Sequence, residues 1–379
     1  MADRFDVIVI GVGAMGSSAC FHLAKRGIKV LGLEQFDIPH SLGSSHGHSR
    51  MIRKAYFEHP NYVPLLQRAY ALWEELEVLS GRRLLHRVGG VFIGPQGATL
   101  VGGALTAAAL HHLPHELLSI DELRRRWPQF VAPESWRAFY EPDSGFLLPE
   151  RTISAYAELA MHRGAEIHAR EPVREWKRDG RHYVVQTDSA RYSAERLIFC
   201  GGAWSGKLLE KLAVPLKVTR QVLGWVWPKE PEEFSIGHIP VWGIDSLDGG
   251  LYYGFPMNDE SPGFKLAHHL PAEHAVDPDT MLREPRPGDR DAIRRILTTY
   301  LPSADGPLLA LKTCLYTNSP DGHFIIDNHS DHPGILIACG FSGHGFKFAS
   351  VIGDLLADAS IAGTLDPRLD FLRLNRFMK

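Results

Sequence analysis

Four separated stretches of the chain carry side chains suited to chemistry. The first is "GVGAMG", which sets Gly11, Gly13 and Gly16 in G-x-G-x-x-G register directly behind the apolar run "FDVIVI". That spacing suits a pyrophosphate: Gly11 permits a tight turn, Gly13 lets the backbone approach the ligand, and Gly16 allows close helix–strand packing. "KVLGLE" then closes on Glu34, eighteen residues past Gly16, where a carboxylate can accept from a ribose hydroxyl. The second is "GSSHGHSRMIRKAYFEH", residues 43–59, rich in polar and basic groups. A helix opening at "SRMIRKAY" with Ser49 as N-cap would put Arg50 and Arg53 on one face. Two guanidiniums there would fork onto a carboxylate or another delocalised anion; the alternative is a solvated arginine face.

The third is Lys265 in "GFKLAHHL". Strand alternation puts Lys265, Ala267 and His269 on one face and Phe264, Leu266 and His268 on the other. By itself the stretch favours an edge-strand charge over a lysine facing a site. "LYYGF" likewise presents Tyr253 opposite Tyr252. The fourth lies near the end: "LKTCLYTNSPDGHF" holds Cys314 among polar and turn-forming residues, and "CGFSGHGFKFAS" puts Gly343, His344 and Gly345 before a helix carrying Lys347 in its first turn. A lysine there opposes the helix dipole, which points to an anion nearby or to an exposed side chain at small cost.

These groups need elements to hold them. "FDVIVI", "SSACFHLAKRG" and "KVLGLE" read as strand, helix ending at Gly27, and strand, a βαβ dinucleotide unit that fits NAD or the adenosine half of FAD equally. "NYVPLLQRAYALWEELEVL" carries a helical apolar stripe. "RTISAYAELAMHRGAEIHA" reads as helix, turn and strand, and "AERLIFCGGAW" as a strand entering a glycine loop, pieces able to rejoin the first sheet. "RQVLGWVWP", "GLYYGFP" and "GFKLAHHL" read as short antiparallel strands, and "GILIACG" as a strand again. The α/β segments therefore bracket a β-rich insertion, and two domains built from discontinuous pieces are expected.

The bulk composition limits the choices. The chain has 379 residues, 44% hydrophobic and 22% charged, with a net charge of −3. A large core is affordable, and the basic footprint of a nucleic-acid binder is missing. The 20 histidines are scattered, with no metal-ligand spacing, so no metal is expected. Four cysteines, Cys20, Cys200, Cys314 and Cys339, are too few for a disulfide framework. No apolar run reaches the length of a membrane span, and the chain reads as cytoplasmic.

The glycine motif together with "GSSHGHSRMIRKAY", "YVPL", "YYGFP", "KLAHH", "CLYT", "HFIID" and "GFSGHGFKF" resembles, almost end to end, the monomeric sarcosine oxidase and N-methyltryptophan oxidase family of flavoproteins. The resemblance implies an α/β fold of glutathione-reductase-like architecture. A Rossmann-like FAD-binding domain would comprise residues 1–85, 145–217 and 312–379, and a mainly antiparallel substrate domain residues 86–144 and 218–311. It implies FAD attached covalently through Cys314, as a thioether to the 8α carbon. Cofactor contacts would come from Gly11, Gly13, Gly16, Glu34, Ser44, Ser49, Arg50, Val173, Cys314, Gly343, His344 and Lys347. Arg53 and Lys347, with Tyr253 and Gly343, would hold the substrate, its carboxylate between the two cations. Lys265 and Arg50 would lie beside the flavin and serve catalysis, Lys265 in oxygen reduction, with His269, Tyr253 and Tyr316 lining the cavity.

The implied reaction is oxidation of sarcosine by O2 to glycine, formaldehyde and hydrogen peroxide, by a monomer whose only partners are a small amine and O2. Alternatives are a larger N-methyl or cyclic amino acid, an NAD-dependent dehydrogenase, and a dinucleotide-binding module without turnover. Two departures stand out: His48 replaces the acid of the family's G-D-T-R pattern, and the loop "MNDESPGF" differs in composition.

Overall fold

The structure is a computed structural model and describes residues 3–209, 215–246, 250–269 and 274–377. Its first layer is an eight-stranded sheet built on the opening βαβ unit. The strands Glu166–His168, Val30–Leu33, Asp3–Ile10, Arg191–Phe199 and Ile335–Cys339 run parallel in that spatial order. Val30–Leu33 and Ile335–Cys339 are buried along their whole length and the second half of Asp3–Ile10 reads VIVI, the near-continuous apolar run of a parallel strand covered on both faces. The helices Ala14–Lys25, Pro149–His162 and Ala349–Ala362 pack together, with Val63–Ser80 against the last two. The opening helix stops at Arg26, and Gly27 follows with φ +76°, the left-handed turn expected after a helix end.

The second layer is another eight-stranded sheet, antiparallel except where Gly90–Pro95 meets Val241–Asp245. One end of it runs Leu308–Asn318, Lys217–Val226, Phe264–His269, Leu251–Phe255. The ten-residue register between Lys217–Val226 and Leu308–Asn318 sets Gln221 opposite Cys314 and brings this sheet to the mouth of the first one. A small third sheet, Arg50–Ile52, Gly145–Leu147 and Leu85–Arg87, joins the two layers.

Three local expectations are corrected. "SRMIRKAY" opens no helix: Arg50–Ile52 is a strand paired with Gly145–Leu147. Met51 is set opposite Phe146 across that ladder and Ile52 is buried in the core, and tertiary pairing overrides the helical spacing. Ser49 is therefore no N-cap, and Arg50 and Arg53 do not share a helix face. Lys265 is not on an edge, because Phe264–His269 is hydrogen-bonded to strands on both sides. Lys347 sits in the 3-10 turn Phe346–Phe348 ahead of the helix that begins at Ala349, outside its first turn.

Among the described residues no single helix is long and apolar enough to cross a membrane.

Candidate active site

One cavity of about 690 Å³ runs between the two large sheets. At one end it is lined by Gly11, Gly13 and Glu34; at the other by Ser44, Arg50, Arg53, Tyr253, His269, Cys314, Tyr316 and Gly343–Lys347, and Val173 also lines it. The sequence-derived residues thus fall on one surface, with three exceptions. Gly16, Ser49 and Lys265 are behind the wall.

The glycine end fits a dinucleotide. Gly11 has φ +91°, and a Cβ there would stand 2.5 Å from the Cys200 carbonyl oxygen. A Cβ on Gly16 would fall 1.8 Å from the Gly11 carbonyl oxygen, so this glycine lets the helix seat on the strand turn. Gly13 differs, since a Cβ there would meet nothing within 4 Å. It faces open space at the start of a helix that no side chain caps and whose first turn carries no acid. Free N–H groups, dipole and clearance coincide there, as a pyrophosphate requires. The Glu34 carboxylate accepts from the Val12 N–H at 2.9 Å and the Phe36 N–H at 3.1 Å, which fixes it beside the cradle. Burial raises its pKa, and those N–H groups oppose the rise.

The other end is cationic. Arg50 donates to the Ser49 and Ser44 carbonyls at 2.9 and 2.7 Å, and its second terminal nitrogen stands 3.6 Å from Cys314 Sγ. Cys314 is buried in the middle of the Leu308–Asn318 strand rather than in a polar turn, and faces the cavity. Lys347 is buried and donates to the His344 carbonyl at 2.8 Å. Burial, and then the neighbouring Arg53, pull its pKa down to about 7.

Lys265 is 1% exposed. Its ammonium donates to Gly47 O and Ser49 O, both at 2.7 Å, and to Ser49 Oγ at 3.2 Å. Burial, with Arg50 adding to it, holds its pKa well below the usual lysine range. Arg53 alone of these four cations is ion-paired among the described residues. Its terminal nitrogen meets both oxygens of Glu58 at 2.8 and 2.7 Å. The guanidinium lies 4.4 Å from each of the Tyr56 and Phe57 rings.

Between the cations stands a neutral polar wall. His269 Nδ1 and the Tyr316 hydroxyl are 3.1 Å apart. Burial drives the His269 pKa to about 4 and raises those of Tyr253 and Tyr316, so all three are uncharged at neutral pH. His344 is likewise held neutral by burial, at about 3. Its Nε2 lies 2.9 Å from the Gly322 carbonyl, which must accept, so Nδ1 accepts from the Tyr56 hydroxyl at 2.5 Å. Gly343 needs its missing side chain: φ is +79°, and a Cβ would come within 2.4 Å of the Tyr316 ring.

Sequence reasoning missed Glu58, Tyr56 and Glu150. Glu58 and Tyr56 lie inside the quoted "RKAYFEH", where a helical reading hid their roles. Glu150, which accepts from the Gly47 and His48 N–H groups, is more than 100 residues away in sequence, and no local pattern marks it.

Comparison with known proteins agrees with this geometry. The model of the FAD dependent oxidoreductase family matches residues 6–359. The monomeric sarcosine oxidase of Streptomyces avermitilis is 41% identical, covering 96% of this chain and 95% of that protein. The N-methyl-L-tryptophan oxidase of Salmonella agona is 33% identical and covers 99% of both. The L-proline dehydrogenase structure from P. horikoshii superposes with a TM-score of 0.85 at 19% identity, over 100% of this chain and 99% of that one, a likeness of fold.

Proposed function

The chain belongs to the FAD dependent oxidoreductase family, and from that premise we propose that it oxidises sarcosine or a similarly small N-methyl amino acid. Sarcosine, O2 and water would give glycine, formaldehyde and hydrogen peroxide. The observation that carries this reading is a set of cations: the half-buried Arg50 and the buried Lys265 and Lys347 face or back one cavity with no carboxylate in ion-pairing reach among the described residues. Uncompensated buried charge is costly and is kept where an anion binds. A dinucleotide cradle at the far end of the same cavity makes one such anion the cofactor.

The cofactor would be held by Gly11, Gly13, Glu34 and Val173 along its nucleotide half, and by Ser44, Arg50, His344 and Cys314 around its ring, with Gly16 and Ser49 supporting the two ends from behind the wall. We propose a thioether through Cys314, whose Sγ faces the cavity beside Arg50. When bound, FAD supplies the two-electron acceptor and passes those electrons to oxygen. Arg53 and Lys347 clamp the substrate carboxylate, Arg53 dividing its fork between that group and Glu58. Charge-assisted hydrogen bonds of this kind are the strong ones. Tyr253, His269, Tyr316 and Gly343 shape the amine end without adding charge. Because the cations there outnumber Glu58, whose carboxylate is already paired with Arg53, an ammonium is disfavoured and the amine is kept in its neutral, oxidisable form. Lys265, one layer back, acts through its charge on oxygen reduction.

A second reading, a larger secondary amino acid such as N-methyltryptophan, is favoured by the apolar wall of Phe57, Phe92, Leu100 and Leu251 in the same cavity. Side-by-side kinetics with the two N-methyl amino acids separate these readings. We further propose a cytoplasmic monomer divided as residues 1–85, 145–217 and 312–379 against 86–144 and 218–311. The first experiment is acid precipitation of the purified protein. The yellow colour should stay in the pellet and move to the supernatant in Cys314→Ser. Colour released from the wild type overturns the covalent link, and a colourless protein that turns over with NAD overturns the function.

A further inference from the structure

The Gly47–Ser49 turn has one face for an anion and the other for a cation. Gly47 and His48 both have positive φ, +98° and +67°, so two successive N–H groups swing to the same side. They meet the Glu150 carboxylate, Gly47 N–H at 2.6 Å and His48 N–H at 3.2 Å to each oxygen. Such paired N–H groups form an anion nest. The turn's other side presents Gly47 O, Ser49 O and Ser49 Oγ, the three acceptors of Lys265. One peptide, Gly47–His48, therefore accepts a hydrogen bond from Lys265 at its oxygen and donates one to Glu150 from its nitrogen. Glu150 is itself anchored in the first turn of the Pro149–His162 helix, where the dipole favours a carboxylate. A polarised amide between an ammonium and a carboxylate strengthens both hydrogen bonds.

We propose that Glu150 is a positioning residue for Lys265: through this peptide its carboxylate fixes the acceptors that seat the ammonium and sustains the charge that Lys265 contributes to oxygen reduction. The inference rests on the oxygen role assigned to Lys265 above. The other groups facing that ammonium cannot supply the charge. Arg50 opposes it from the neighbouring strand, and Cys314 acts from the Leu308–Asn318 strand. His46, held neutral by burial, and His48 stand on the loop itself, while Lys312 shares the Trp225 ring with Lys265. His48 occupies a position where an acid would have helped, and its ring packs edge-on against Trp225 at 5.9 Å. Glu150 is left as the carboxylate that acts on Lys265.

The test uses the flavin-bearing enzyme with 13Cε-labelled lysine, the Lys265 resonance being assigned by its loss in Lys265→Met. In Glu150→Gln, which keeps the side chain's shape, Lys265 should titrate about 1 pH unit lower than in the wild type, the lower end of the effect of a neighbouring charge. The alkaline limb of the flavin reoxidation rate should move by the same amount, and anaerobic reduction should keep its profile. An unchanged Lys265 titration overturns the proposal. A second measurement needs no variant: with 13Cδ-labelled glutamate, the wild-type Glu150 signal should show an inflection at the pH where Lys265 titrates, and its absence also overturns it. The two readings fail separately. If Lys265→Met reoxidises at the wild-type rate, the oxygen role falls, whereas the coupling between the two residues is read by the resonances alone.

Discussion

Replacing Lys347 by methionine keeps the length and apolar stem of the side chain and removes one of the two cations assigned to the substrate carboxylate. The ammonium is buried, donates to one carbonyl, and has a pKa of about 7 because burial and Arg53 disfavour its charge. A hydrogen bond from it to a carboxylate is worth about 1.5–3 kcal/mol. Its loss should therefore weaken binding of a small acid by roughly 10- to 150-fold.

The assay is the dissociation constant of a small ether or thioether carboxylic acid, read from the flavin absorbance. Such a ligand carries the carboxylate but no amine, so its own titration does not intrude. The sign follows from the direction of the shift. Below about pH 7 Lys347 is charged and binding is tightest. Above it the constant should rise toward tenfold per pH unit, levelling once the ammonium that binding itself favours is used up. The Met variant should be weak and flat across that window.

Stability runs the other way. The ordinary lysine value of 10.5 applies to the unfolded chain, which therefore binds more protons than the folded one between about pH 7 and 10.5. Lys347 thus costs stability below about pH 7, and the cost fades as pH rises. The ligand-free Met variant should melt higher than wild type at about pH 6 to 7, with the gap closing above. A wild-type dissociation constant that stays level from acid to alkaline pH, or a Met variant that binds within twofold of wild type, would refute the assignment of Lys347 to the carboxylate.

The glycines make contrasting predictions. Gly13→Ala meets open space and normal backbone, so chemical denaturation should move by less than about 0.5 kcal/mol, while flavin content falls sharply because the added methyl occupies the approach to the cradle. Gly16→Ala drives a methyl into the Gly11 carbonyl and should destabilise the protein by about 1–3 kcal/mol or more, with or without flavin. Equal behaviour of the two variants would remove the cofactor role from Gly13. Gly343→Ala combines a left-handed backbone with a contact to the Tyr316 ring; it should cost about 1–3 kcal/mol and perturb the flavin spectrum by displacing Tyr316. A wild-type denaturation midpoint and spectrum would show that this loop tolerates a side chain.

What could be read from the chain alone depended on how local the cause was. The cradle was legible because each glycine answers a backbone demand within its own turn, and Glu34 follows at the length of one βα unit. The alternation of Tyr252 and Tyr253 was legible because strand geometry carries it without knowledge of neighbours. Lys265 was misread from its own strand because edge or interior is decided by Lys217–Val226 and Leu251–Phe255, which its hexapeptide does not contain. Arg50 and Arg53 were misread for a related reason. Their spacing of three suits a helix face, but between them Met51 pairs with Phe146 and Ile52 is buried in the core, which a strand achieves. With Arg50 in the strand and Arg53 just past its end, the two guanidiniums part, one toward Cys314 and the other toward Glu58.

That separation bears on how the site works. The chain as a whole carries a net charge of −3, yet the end of the cavity around Cys314 is lined or backed by four cations contributed by three remote segments, residues 50–53, 265 and 347. No window of the sequence contains the excess, so composition cannot reveal it. The fold creates it by bringing two sheets together over a dinucleotide cradle and leaving three of the four charges without carboxylates. Burial then depresses the lysines and leaves the arginines as fixed charges, which divides the labour. In the proposed roles Arg50 and Arg53 are the fixed cations, while Lys265 and Lys347 are tunable, each through a carboxylate that acts on it, Glu150 in one case and Glu58 in the other. The two anion-binding functions proposed for this cavity need not merge, because the carboxylates that act on the two lysines are anchored independently, Glu150 on the Gly47 and His48 N–H groups and Glu58 on Arg53.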